Sequence, residues 1–197
     1  MLREDHSRII RPGVMANIPN AISLLRLLAT PVLLAFAVLD RQQAFRWLLV
    51  ACLISDIADG LIARGFKITS KTGALLDSTA DILVSAIATF AVFKLRADFV
   101  SQHYGPVLLV IVLYLAAVAG AFLRYGRLAS FHTIACRVAA YAQGIFVVLL
   151  LFRGFEAPLF YLMIGISAAA YIEEIALLWL LPTWSTDVSG LYWVLRK

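Results

Sequence analysis

Six apolar stretches, at residues 20–39, 45–62, 74–95, 104–123, 134–152 and 158–181, govern what this chain can fold into. Each is close to the roughly 20 residues with which a helix, rising about 1.5 Å per residue, crosses a hydrocarbon core about 30 Å thick. In lipid every backbone N–H and C=O must be satisfied within the segment, so stretches of this length are expected to be helices. The composition agrees: 62% of the 197 residues are hydrophobic and 15% are charged, with a mean hydropathy of +0.90, far from the balance of a soluble domain. The connections are short and leave no room for a separate soluble domain. The expected fold is therefore all-α, a polytopic membrane bundle of six transmembrane helices over residues 20–181. A cytoplasmic or interfacial segment at 1–19 precedes it and an interfacial tail at 182–197 follows it.

Basic residues are retained on the cytoplasmic side of a membrane. Arg3, Arg8, Arg11, Arg26, Arg64, Lys67, Lys71, Arg124, Arg127, Arg137, Arg196 and Lys197 fall on one side of the expected topology, against Arg41, Arg46, Lys94, Arg96 and Arg153 on the other. Both termini are accordingly expected in the cytoplasm. The polar start, with no small-residue cleavage site after a short apolar core, predicts no removable signal peptide. The net charge of +5 is spread along one membrane face, which points to an anionic leaflet as partner and away from nucleic acid. Cys52 and Cys136 match neither a disulfide framework nor a zinc spacing and read as packing residues. There is no internal repeat and no low-complexity segment.

Of the twelve acidic residues, Asp56, Asp59, Asp77 and Asp81 lie at the facing ends of the second and third apolar stretches. An aspartate at the centre of a membrane helix costs about 2.5–3.5 kcal/mol on insertion scales, so an unpaired group of them needs an offset. At helical spacing each pair shares a face. The short connection between the stretches predicts antiparallel neighbouring helices, which lets the two pairs converge. Carboxylates at that range do not all stay ionised without cations. Hard divalent ions such as Mg²⁺ or Mn²⁺ suit an all-oxygen site and commonly hold phosphates, so a pyrophosphate is a natural guest. Gly60 and Ala63 allow close approach to the backbone, and Arg64 and Lys67 add positive charge at the mouth. The alternative is a set of solvated helix caps, a reading that suits Asp77 better than Asp56 or Asp81.

The run Asp56-Ile-Ala-Asp59-Gly60-Leu-Ile-Ala63-Arg64, followed after eight residues by Gly73, after three by Asp77 and after three more by Asp81, resembles the signature D-x2-D-G-x2-A-R-x8-G-x3-D-x3-D of the CDP-alcohol phosphotransferase family at every fixed position. The opening Asn17-Ile-Pro-Asn20-Ala-Ile-Ser23-Leu-Leu-Arg26 looks like the first helix of its phosphatidylglycerophosphate synthase and cardiolipin synthase branches, with Ser23 where threonine is frequent. The resemblance implies six membrane helices with the motif near the cytoplasmic face. It implies that Asp56, Asp59 and Asp77 ligate two Mg²⁺ or Mn²⁺ ions, and that Asp81 contributes to the metal site and is the base for the acceptor hydroxyl. Gly60, Ala63 and Arg64 would line the CMP portion of the donor, with Gly73 and Asn20 also on the donor side. A phosphatidyl group would pass from CDP-diacylglycerol to a small or lipid alcohol with release of CMP. The protein would be a homodimer in the bacterial cytoplasmic (inner) membrane, its active site facing the cytoplasm.

The acceptor is read from Arg124, Arg127, His132 and Arg137, which fall within 14 residues around the ends of the fourth and fifth stretches. Arginine forks bind phosphate, so glycerol 3-phosphate leads, with phosphatidylglycerol (the cardiolipin synthase reaction) and inositol phosphate as alternatives. The positive-inside rule would place basic residues there without any ligand. Glu173 and Glu174 face either the active cavity, a subunit contact, or a helix end near an interfacial Trp179–Trp184 region. Trp184, Tyr192 and Trp193 beside Arg196 and Lys197 read as an interfacial anchor. An ion-coupled transporter and a non-catalytic CDP-lipid-binding protein are the competing classes. The first would show paired broken helices, and the second would be expected to lack a metal ligand or the base.

Overall fold

The computed structural model describes residues 12–66, 71–126, 133–181 and 190–196, and among them there is helix and no strand. The helices are α1 (Pro12–Val38), α2 (Gln42–Phe66), α3 (Lys71–Leu95), α4 (Ala97–Gln102), α5 (Tyr104–Tyr125), α6 (Ile134–Phe152), α7 (Ala157–Leu180) and α8 (Leu191–Leu195). Six of these cover the six apolar stretches. α1 begins at Pro12, well before its apolar stretch, and proline suits a first helical position because that N–H has no intrahelical partner. The short α4 lies in a connection that carried no periodic signal of its own.

Five segments are long and apolar enough to cross a membrane: 20–38, 75–95, 104–125, 134–152 and 157–180. The chain is therefore an integral membrane protein. α2 is not among the five, because its length is interrupted by Arg46, Asp56, Asp59 and Arg64.

The chain divides into two compact units between Leu95 and Arg96. In the first, α1 packs along both α2 and α3, while α2 and α3 touch each other only slightly. The α1–α2 turn is tight: Asp40 takes a left-handed φ of 55°, a conformation aspartate tolerates better than most residues, and the Arg41 N–H donates to the Phe36 carbonyl at 2.9 Å. α1 and α3 run in the same direction, since Ser23 meets Asp77 at one end and Lys94 reaches Ala37 and Val38 at the other. Ala80, Val84, Ile87 and Ala91 recur at helical spacing as the buried face of α3, and small residues there let the helix axes approach closely. Leu25, Leu28 and Val32 of α1 and Ile82 of α3 remain exposed, as lipid-facing side chains do.

In the second unit α7 packs against both α5 and α6. Its buried face runs Phe160, Met163, Ser167, Ala170, Glu174 and Leu177. At one end Phe160 is surrounded by Phe99, His103, Phe146 and Phe155, with ring centroids 5.2–5.6 Å from its own. Thr133 caps α6 by accepting from the Cys136 N–H at 3.1 Å, satisfying one of the free donors of the first turn. Buried polar groups are paired across helices, with the Gln143 amide donating to the Ser167 hydroxyl at 2.9 Å and to the Tyr171 hydroxyl at 3.0 Å.

Candidate metal and phosphate site

The buried face of α1 changes character along its length: Ser23, Arg26 and Thr30 give way to Leu33 and Ala37. That polar portion receives the aspartates. The side chain of Arg26 is only 1% exposed, and its guanidinium meets Asp56 at 2.6 Å, Asp59 at 3.3 Å and Asp81 at 3.5 Å, and also bonds Asp77. The Ser23 hydroxyl lies 3.2 Å from an Asp59 oxygen and 3.5 Å from an Asp77 oxygen. The carboxylate pairs thus converge as their spacing predicts, but not through direct packing of α2 on α3. α1 lies against both helices, and its arginine supplies the positive charge around which acids from two helices gather.

The four acids are not equivalent. Asp59 is 4% exposed, against 35% for Asp56, 42% for Asp77 and 47% for Asp81. Oxygens of Asp56, Asp59 and Asp77 all lie within 4.8 Å of one another, and Asp81 stands outside that group. An octahedral Mg²⁺ holds its ligands at about 2.1 Å, so two of its oxygens are at most about 4.2 Å apart. Small side-chain rotations would bring the three carboxylates to that span. The all-oxygen donor set fits a hard divalent cation. One guanidinium against four carboxylates leaves the cluster with a negative excess when all are ionised, which favours a further cation.

Gly60 follows Asp59 on α2 and is half-buried, and the helical backbone carries Ala63 and Arg64 beyond it. Gly73 is buried one turn before Asp77, on the same face of α3. Asn20 is half-buried on α1 one turn before Ser23. All five donor-side residues therefore belong to the unit that holds the aspartates.

The residues expected at the acceptor fall in the second unit. Arg124 ends α5, donates to the Leu181 carbonyl at 3.3 Å and lies 5.7 Å from the Tyr125 ring centroid. The Tyr125 hydroxyl donates to the same carbonyl at 2.6 Å. These two side chains close the carboxy-terminal end of α7, where carbonyls lack helical partners. Arg137 is exposed on the first turn of α6, whereas Arg127 and His132 lie outside the described residues.

Glu173 and Glu174 do not mark a helix end, because α7 continues to Leu180. Glu174 is buried, with the Cys136 thiol 3.6 Å from its Oε2. Glu173 accepts from the Leu191 N–H at 2.7 Å and so holds the start of α8. Cys52 is buried and Cys136 half-buried, and both are free thiols, in line with packing roles.

Reasoning from the sequence missed Arg26 and Ser23 as parts of this site. A signal was present: Ser23, Arg26 and Thr30 recur at helical spacing within an apolar stretch, and an ionisable residue inside a membrane segment calls for a partner.

The family model described as CDP-alcohol phosphatidyltransferase matches residues 16–183. Among curated proteins, the chain is 40% identical over 77 residues to the CDP-diacylglycerol--glycerol-3-phosphate 3-phosphatidyltransferase of Cereibacter sphaeroides, covering 36% of this chain and 34% of that protein. It is 37% identical over 95 residues to the protein of the same name from Yersinia enterocolitica, covering 45% of this chain and 46% of that one. For the Aquifex aeolicus protein of that name the figures are 27% over 97 residues, 49% and 52%. The matched portion thus spans about a third to a half of the length of these relatives. No solved structure matches. Since the family match takes in most of the chain and includes all four clustered aspartates, this protein belongs to the CDP-alcohol phosphatidyltransferase family.

Proposed function

We propose that this protein transfers the phosphatidyl group of CDP-diacylglycerol to glycerol 3-phosphate, giving phosphatidylglycerophosphate and CMP. The observation that carries the reading is the division among the aspartates: three carboxylates gathered within 4.8 Å of one another and a fourth, more exposed, one turn along α3. Asp56, Asp59 and Asp77 are the metal ligands, with Asp81 at the edge of their site. Two Mg²⁺ or Mn²⁺ ions held there would neutralise the donor pyrophosphate and the charge developing on departing CMP. Gly60, Ala63, Arg64, Gly73 and Asn20 line the nucleotide side. Asp81 accepts the proton of the acceptor hydroxyl as that oxygen bonds to the phosphorus bearing the diacylglycerol. The bond from this phosphorus to the CMP oxygen breaks, and CMP leaves with the electron pair. No covalent enzyme intermediate is required.

The names of the relatives support glycerol 3-phosphate as acceptor, and Arg124, Arg127, His132 and Arg137 are the residues proposed to read its phosphate. We assign α2 as a sixth span, because it matches α3 in length and packs against the apolar α1. With six spans both termini lie in the cytoplasm, residues 20–181 form the catalytic domain, and the segments at 1–19 and 182–197 lie at the membrane surface. The site then opens to the cytoplasm at headgroup depth in a bacterial inner membrane, where acyl chains reach it from the leaflet and CDP from water. A homodimer is the proposed assembly.

The test is CMP release from CDP-diacylglycerol by purified protein in detergent with Mg²⁺ or Mn²⁺, with acceptors supplied singly. CMP formation dependent on glycerol 3-phosphate and abolished by chelation supports the assignment. Activity only with phosphatidylglycerol or inositol phosphate would keep the reaction and change the acceptor. No CMP with any acceptor, while CDP-lipid still binds, would favour a non-catalytic lipid-binding role.

A further inference from the structure

Arg26 does more than neutralise charge, because its position coincides with that of a metal's ligands. One terminal nitrogen, Nη2, meets Asp59 at 3.3 Å and Asp81 at 3.5 Å and bonds Asp77, while Nη1 takes Asp56 at 2.6 Å. The three carboxylates that cluster within 4.8 Å of one another are among the four engaged by this guanidinium. Ser23, the other side chain bonded to Asp59 and Asp77, is uncharged. The Arg26 Nε is buried without a hydrogen-bond partner among the described residues, so the side chain is held by its carboxylates alone. Arginine does not lose its proton under ordinary conditions, so the positive charge is permanent.

We infer that Arg26 is an internal competitor for the metal site: it keeps the carboxylates converged and cedes them to divalent ions. Two cations centred on the same acids repel each other, so an entering ion must displace the guanidinium or work against it. The arginine therefore lowers the intrinsic metal affinity of the cluster. The anionic pyrophosphate of a donor adds negative charge and tips the balance, so that metal and donor load together. This inference rests on the metal-site reading above and concerns a positioning residue, not a group that touches reacting atoms.

A scaffold role and a competitor role predict opposite signs. If Arg26 only gathers the acids, removing it scatters them and weakens metal binding. If it competes, removing it strengthens binding. The experiment is a titration of metal-stripped full-length protein in detergent with Mn²⁺, free ion followed by electron paramagnetic resonance, without CDP-lipid, for wild type, Arg26→Lys and Arg26→Gln. Arg26→Gln is expected to bind Mn²⁺ about tenfold or more tightly than wild type, since a full positive charge at contact distance is gone. Arg26→Lys, which keeps the charge but loses the fork, falls between the two. The Mn²⁺-induced rise in thermal midpoint follows the same order and gives a second readout for a variant that is marginally stable in chelator. Equal or weaker Mn²⁺ binding by both variants overturns the inference while leaving the metal site standing. Binding by Arg26→Gln alone supports it in its strongest form. Absence of saturable Mn²⁺ binding in all three proteins removes both the metal site and the competition.

Discussion

Replacing Asp81 by asparagine preserves the size and shape of the side chain and removes its capacity to take a proton, so it isolates the chemistry assigned to this residue. The folding cost is small on structural grounds. Asp81 is nearly half exposed, its contact with Arg26 is 3.5 Å, and Arg26 keeps its closer partners Asp56, Asp59 and Asp77. An ion pair of that kind is worth below about 1 kcal/mol. A positioned base contributes about 10²–10⁴-fold, so kcat should fall by that factor, equivalent to about 3–5 kcal/mol of transition-state stabilisation. Mn²⁺ binding should persist, because Asp81 lies outside the group of three closest carboxylates. The assay is CMP release at saturating donor and acceptor, with Mn²⁺ titration and thermal unfolding of the same preparation. A variant with kcat within tenfold of wild type would refute the role of Asp81 as base. Loss of activity together with all Mn²⁺ binding would refute the division of labour between Asp81 and its neighbours.

Asp59→Asn should show the complementary pattern: Asp59 is the most buried of the acids and is bonded to both Ser23 and Arg26, so Mn²⁺ binding by titration should drop with activity. Lys94→Met removes the ammonium that donates to the Ala37 and Val38 carbonyls at the end of α1, with an expected loss of about 1–2 kcal/mol in detergent unfolding and unchanged activity per folded molecule. Gly190→Ala places a Cβ 2.9 Å from Glu173 Oε1 at a φ of 149°, so the Glu173 bond to the Leu191 amide should break. Hydrogen exchange at Leu191–Leu195 would then quicken, and exchange at the wild-type rate would rule out Glu173 as the anchor of α8.

The sequence by itself determined the membrane class, the helical state and the position of the carboxylates along their helices. Apolar length against bilayer thickness is a local property, and so is the spacing that puts Asp56 with Asp59 and Asp77 with Asp81 on shared faces. The family signature lies within 26 consecutive residues, from Asp56 to Asp81, and needs no tertiary information to be read. What joins the pairs was decided only by packing. Arg26 lies 30 positions before Asp56 and 51 before Asp77, and neither separation has a helical period to betray it. Tertiary structure likewise turned Arg124 toward the end of α7, buried Glu174 in the second unit and gave Glu173 the Leu191 amide. A charge inside a membrane segment announces in the sequence that it needs a partner; which partner it finds depends on how the helices pack.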